Sequence, residues 1–148
     1  METVFTLQPA TDADRPAIIT LLQEAGLPTQ DLPDHLEHFL LKKKNGQLIG
    51  TVGLERLGDV ALLRSLAVAE PWRGSGLGKQ LFQAALTDAH RLGVTSVYLI
   101  TNTADRFFAK QGFQRIERTA TPAMVQATAQ FSGICPSSAL VMRKSLPE

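Results

Sequence analysis

The chain has 148 residues, 15 Lys and Arg against 14 Asp and Glu, and a formal net charge of +1. That length suits one domain over residues 1–148 with a full core, and the near-zero charge gives no basic footprint for nucleic acid. The lone Cys135 excludes an internal disulfide and a multi-thiolate metal site, while the lack of a signal-like start or a membrane-length apolar run predicts a cytoplasmic protein without membrane partners.

In chain order, Val4 to Leu7 alternate as a short first strand. Thr11 with Asp14 three residues on marks a helix start, and Ile18, Ile19, Leu22 and Ala25 form its apolar face until Gly26 and Pro28. A second short helix is expected from Asp31, with Leu32, Leu36, Phe39 and Leu40 at i, i+4, i+7 and i+8. Leu40 to Lys44 reads as a strand, Asn45-Gly46 as a hairpin turn and Gln47 to Leu57 as the return; Gly58-Asp59 then turns the chain into Val60 to Val68. These three strands make an antiparallel meander, whose lysines 42 to 44 are expected to be solvated and to protect an edge.

After a Pro71-Trp72 turn, alternating glycines open onto a helix that continues to Leu92 and buries Leu77, Leu81, Ala84, Ala85, Ala89 and Leu92, and Gly93 ends it. Val94 to Thr101 is the next strand. A strand, a crossover helix and a strand give a right-handed parallel connection, so the sheet is mixed. Thr103 to Gln111 is a short helix capped by Asn102 or Thr103, and Phe113 to Arg118 another strand. Pro122 to Gln130 is expected to be helical, Ser132 to Ser138 a loop and Ala139 to Lys144 a final strand.

The stretch Leu66 to Lys79 organises the rest. An apolar strand runs into Arg73-Gly74-Ser75-Gly76-Leu77-Gly78-Lys79 and directly onto a periodic helix. Amides at a helix start lack intrahelical partners and carry partial positive charge, so an anion fits there, especially where glycines hold no Cβ in its way. A Walker loop requires four residues between its first glycine and the Gly-Lys pair, then Ser or Thr; here three intervene and Gln80 follows. A dinucleotide fingerprint belongs after the first strand, whereas this run sits mid-chain.

What remains, Arg73-x-x-Gly76-x-Gly78 after a Leu-Ala-Val strand end, resembles the pyrophosphate motif of the GNAT family of N-acetyltransferases. The resemblance covers most of the chain. It implies a mixed α/β fold, with a central, mostly antiparallel sheet splayed between its fourth and fifth strands and flanked by helices. It also implies acetyl-CoA as cosubstrate, no metal, and a small-molecule amine as acceptor, with a homodimer through the last strands a common arrangement. By that resemblance Arg73, Gly74, Ser75, Gly76, Leu77, Gly78 and Lys79 hold the pyrophosphate. Leu66, Ala67 and Val68 offer main-chain groups to the pantetheine arm, and Asn102 and Phe107 line the opposite side. Asn102 reads equally as a helix cap.

Arg64 interrupts a strand whose other members are almost all apolar, and alternation puts it with Leu62 and Leu66. A lone buried guanidinium is costly, so it binds either an acceptor's carboxylate or an internal carboxylate such as Glu55. Glu55 is also the candidate general base, acting through water. His35 and His38 have a spacing that suits a metal, but no third ligand is evident.

The family's helix carries a tyrosine that protonates the departing CoA thiolate, where this chain has Phe108, which has no proton to give. A degenerate acyl-CoA-binding module is therefore the rival expectation. A narrower likeness lies in Ala61 to Val68, Asn102-Thr103-Ala104 with Phe107-Phe108, and the tail from Phe131 through Cys135 and Pro136 to Ala139 with Met142. These resemble the arsenic-resistance N-acetyltransferases, some relatives of which acetylate arsenical or phosphinic amino acids. One thiol does not make the multi-thiolate site that trivalent arsenic prefers, and Cys135 reads as a small buried side chain.

Overall fold

Asn45 and Gly46 both take positive φ, 50° and 82°, as a two-residue turn between right-twisted strands requires. They join β2 (Phe39–Lys44) to β3 (Gln47–Leu57). The computed structural model of the chain describes residues 3–128, 130–131 and 139–147. β1 (Phe5–Pro9) lies antiparallel beside β2, Phe5 opposite Lys44 and Pro9 opposite Leu40. β2 is therefore an inner strand, and its lysines do not guard an edge. Lys43 pairs with Asp14 at 2.9 Å, while Lys42 and Lys44 lie over the rings of Phe5 and Trp72.

The first helix, α1 (Arg15–Glu24), is entered through Asp14, whose carboxylate accepts from the Thr11 N–H at 2.8 Å and hydroxyl at 3.0 Å. α1 buries Ile18, Leu21 and Leu22 beside Phe39 and Leu41 of β2. The helix expected from Asp31 does not form, and residues 25–38 are irregular. Side chains take the carbonyls that a helix would use: Arg15 Nη2 donates to Pro33 O and Asp34 O at 2.6 and 2.9 Å, and Arg64 Nη1 to Asp31 O at 3.3 Å. Leu36 and Phe39 are buried all the same, from a turn closed by Phe39 N–H to Leu36 O.

From β3 the Gly58 turn leads to β4 (Val60–Val68), then a single 3-10 turn at Glu70–Trp72. α2 (Leu77–Arg91) begins after Gly76, because Gly74 and Gly76 hold left-handed φ of 81° and 89°. It packs Leu81, Phe82 and Ala85 with Leu54 of β3 and Ala61 and Leu63 of β4. The chain continues through β5 (Ser96–Thr101), α3 (Asp105–Lys110), β6 (Gln114–Ile116), α4 (Ala123–Gln126) and β7 (Leu140–Ser145). Among the described residues the strands run β1-β2-β3-β4-β5-β7-β6, antiparallel except for β4 with β5. This is the mixed, mostly antiparallel α/β sheet expected. Residues 132–138, with Cys135 and the expected loop, lie outside the described residues.

Candidate active site

β4 and β5 pair only at their first halves, Val60 with Ser96, Ala61 with Val97 and Leu62 with Tyr98. Two causes separate them beyond Leu62. β4 carries an extra residue: Thr51 stands opposite Ala67 but Gly53 opposite Arg64, so Val52 alone faces Ser65 and Leu66, and Ser65 has φ of 57°. Such a bulge bends its strand. β5, meanwhile, is paired along its whole length on the other edge, Ser96 with Ser145 through Thr101 with Leu140.

The divergence opens a cleft of about 910 Å³. Leu66, Ala67 and Val68 form one wall, Asn102 and Phe107 the other, and Gly26, Leu27, Pro28 and Gln30 of the irregular loop line it from above. Ala69 N–H donates to Ile49 O at 2.8 Å, so alternation turns the peptide groups of Ala67 toward β3 and those of Leu66 and Val68 into the split. Ala67 instead buries its methyl beside Ile18 and Leu22.

The glycine loop follows directly on Arg73, which lines the cleft. Among the described residues, the amides of Gly74, Gly76, Leu77, Gly78 and Lys79 have no acceptor, while Ser75 N–H is taken by Trp72 O and Gln80 N–H by Gly76 O. A Cβ built at Gly74 or Gly76 meets nothing within 4 Å, so the concavity is open. Five free amides at a helix start form a site for an anion with several oxygens. Arg73 lines the cleft and is oriented by donating Nε to Val68 O at 3.0 Å. The donor set therefore fits a pyrophosphate.

Arg64 is 3% exposed. Its guanidinium binds Glu55 Oε1 through Nη1, Asp31 Oδ1 through Nη2 at 2.9 Å and Ser65 Oγ through Nε at 3.1 Å. The internal pair with Glu55 is thus formed, and Asp31 joins it. Leu66 does not share the face of Leu62 and Arg64, as plain alternation predicts: the bulge flips it, so Leu66 and Val68 pack with Ala61 and Leu63 on the α2 side, while Leu62 packs with Tyr98 and Val125. Asp31 and Ser65 are the two members of this region that sequence reasoning missed.

Asn102 does not cap α3. Ala104 precedes the helix and its N–H bonds to Thr101 Oγ1 at 3.0 Å, leaving the exposed Asn102 facing the cleft. Phe108, 6% exposed, packs against Phe82, Phe107 and Phe113 at centroid distances of 5.8, 5.1 and 5.8 Å and lines the cleft beside Phe107. His35 and His38 lie on the irregular loop. Among the described residues no group of three or more His, Cys, Asp or Glu is placed to hold a metal ion, and no helix is long and apolar enough to cross a membrane.

These features define a class of protein: a mixed sheet that parts beside a helix-start anion cradle and offers unpaired peptide groups to an extended ligand. The Acetyltransferase (GNAT) family matches residues 7–113, and the chain belongs to it. It is 28% identical over 120 residues to the amino-acid acetyltransferase of Edwardsiella ictaluri, across 75% of this chain but 26% of that protein. It is also 27% identical over 104 residues to the aminoalkylphosphonate N-acetyltransferase of Salmonella typhimurium, across 64% of this chain and 68% of that one. N-acetylglutamate synthase from Neisseria gonorrhoeae, solved with coenzyme A and N-acetyl-glutamate, superposes with a TM-score of 0.84 at 21% identity, covering 100% of this chain and 36% of that one. The chain thus spans only 26% of the Edwardsiella relative and 36% of the Neisseria synthase.

Proposed function

We propose that the chain transfers the acetyl group of acetyl-CoA to the amino group of a small, amino-acid-like acceptor. One observation carries this: the free amides at the start of α2 follow directly on Arg73, which lines the cleft into which Leu66 and Val68 turn their peptide groups. In this reading the amides of Gly74, Gly76, Leu77, Gly78 and Lys79 hold the pyrophosphate, with Arg73 and Lys79 adding charge and Ser75 shaping the loop. Leu66 and Val68 hold the pantetheine arm and polarise the thioester oxygen, and Asn102 and Phe107 flank it.

The acceptor attacks as its neutral amine. Glu55 does not itself line the cleft, so in this reading it takes the proton through water; among the described residues only its Oε1 is bound, to Arg64, and Oε2 is left for that water. Phe108 supplies no proton, so the thiolate leaves to water or unprotonated. The names of the relatives support an amino-acid-like acceptor, and Arg64 suits a carboxylate. An arsenical or phosphinic amino acid as acceptor rests on the sequence likeness of Ala61 to Val68, of Asn102 to Phe108 and of the tail. A homodimer through β6, which stands at the sheet edge, belongs to the same reading.

Calorimetry with coenzyme A and free-thiol release from acetyl-CoA across a panel of amino acids, amines and peptides tests this. Heat with coenzyme A and thiol release with an amino acid are expected. Heat without thiol release on any amine selects the second reading, an acyl-CoA-binding module, which Phe108 favours. No heat at all overturns both.

A further inference from the structure

Arg64 is surrounded by more carboxylate than it neutralises. Its side chain is 0% exposed, yet Asp31 and Glu55, at 5% and 24%, both pair with it, two carboxylates to one guanidinium. The two carboxylates are held differently. Glu55 belongs to β3 and stands opposite Leu62, inside the sheet. Asp31 sits on the irregular loop, one residue beyond Gln30, which lines the cleft.

Asp31 also has a buried oxygen, Oδ2, without a hydrogen-bond partner among the described residues. A buried carboxylate oxygen that accepts nothing is unfavourable by comparison with the same oxygen in water. Leaving Arg64 therefore costs the Asp31 side chain an ion pair but restores hydration to Oδ2, and the two effects oppose one another; the long 3.3 Å bond from Arg64 Nη1 to the Asp31 carbonyl is kept if the side chain alone swings away. Among the groups on Arg64, Asp31 is the replaceable one.

Building on the acetyltransferase reading above, we infer that Asp31 is a positioning residue that selects the acceptor. Its carboxylate occupies on Arg64 the place where an acceptor's carboxylate docks, and an amine bearing an acid group exchanges with it. Exchange of one carboxylate for another on the same fork is nearly balanced, so binding energy from the rest of the acceptor decides it. An amine without an acid group offers Arg64 nothing in return, and Asp31 stays.

Thiol release from acetyl-CoA with each common amino acid and its decarboxylated amine reads this selection. The wild type is expected to take the acid and not the amine. Asp31→Asn, which removes the resident competitor, is expected to lower KM for the accepted amino acid about threefold, a small effect because the attraction of a buried ion pair is largely offset by its desolvation, with kcat unchanged and no gain for the amine. A KM that rises, or a change shared equally by acid and amine, overturns the inference. Should Asp31→Asn not fold, hydrogen exchange on the wild type with coenzyme A decides: the amino acid speeds exchange over residues 29–34 and the decarboxylated amine does not, whereas unchanged or slowed exchange overturns it. A wild type that releases no thiol with any amine refutes the acetyltransferase reading, and the exchange experiment still judges Asp31 by itself.

Discussion

Arg64 and Leu66, two positions apart on one strand, face opposite sides of the sheet. Arg64 meets Asp31 and Glu55, while Leu66 packs with Leu63 on the α2 side. The single residue that reverses them is Ser65, whose φ of 57° is the left-handed value that side chains with a branched Cβ adopt least readily.

Ser65→Val is therefore expected to destabilise the fold by about 1–3 kcal/mol, through backbone strain and loss of the Oγ that accepts from Arg64 Nε. Ser65→Gly relieves the strain and loses only the hydrogen bond, so its urea midpoint should lie well above that of the valine variant. Equal midpoints would show that the bulge is not what the position is selected for.

Gly76 and Gly46 provide a matched pair. Both hold positive φ, 89° and 82°, so an alanine at either costs about 1 kcal/mol or more of backbone strain. Only Gly76 precedes the free amides of α2. Titration calorimetry should find coenzyme A binding weakened at least about tenfold by Gly76→Ala and unchanged by Gly46→Ala, since re-aimed donors lose charge-assisted bonds.

Three phenylalanine rings contact Phe108, which argues for packing at that position. Phe108→Ala is expected to cost about 3–5 kcal/mol in stability. Phe108→Tyr should leave kcat within about twofold; a tenfold gain in thiol release would instead show that proton supply to the leaving thiolate limits turnover.

The Asp14 carboxyl is held below its ordinary value of 3.8, first by the Thr11 N–H and then by Lys43. A depressed folded-state value stabilises the fold fully above the unfolded value, and the gain is lost as pH falls through the folded one. Urea unfolding should thus show wild type more stable than Asp14→Asn at pH 7, by an amount that shrinks below about pH 4.

The strands, the glycine loop and the parallel crossover were legible because each has a local cause. Asn45-Gly46 dictates a turn, and alternation and apolar runs dictate β3 and β4 to the residue. The misreadings lie where distant groups decide. The Leu32 to Leu40 periodicity mimics a helix, yet arginines from α1 and β4 take the carbonyls there. Ser65 looks like any strand serine, and its reversal of the chain depends on the register of β3. Asp31 has no motif at all; only the folded loop brings it to Arg64.

β5 has three partners on β4 but six on β7. On a ribosome, the half of the sheet from β1 to β4 emerges and pairs well before residue 140, while β5 waits for the last of the strands to clear the exit tunnel. The far wall of the cleft is consequently the last part of a newborn chain to set, and translation paused after α3 would leave β5 without its main neighbour.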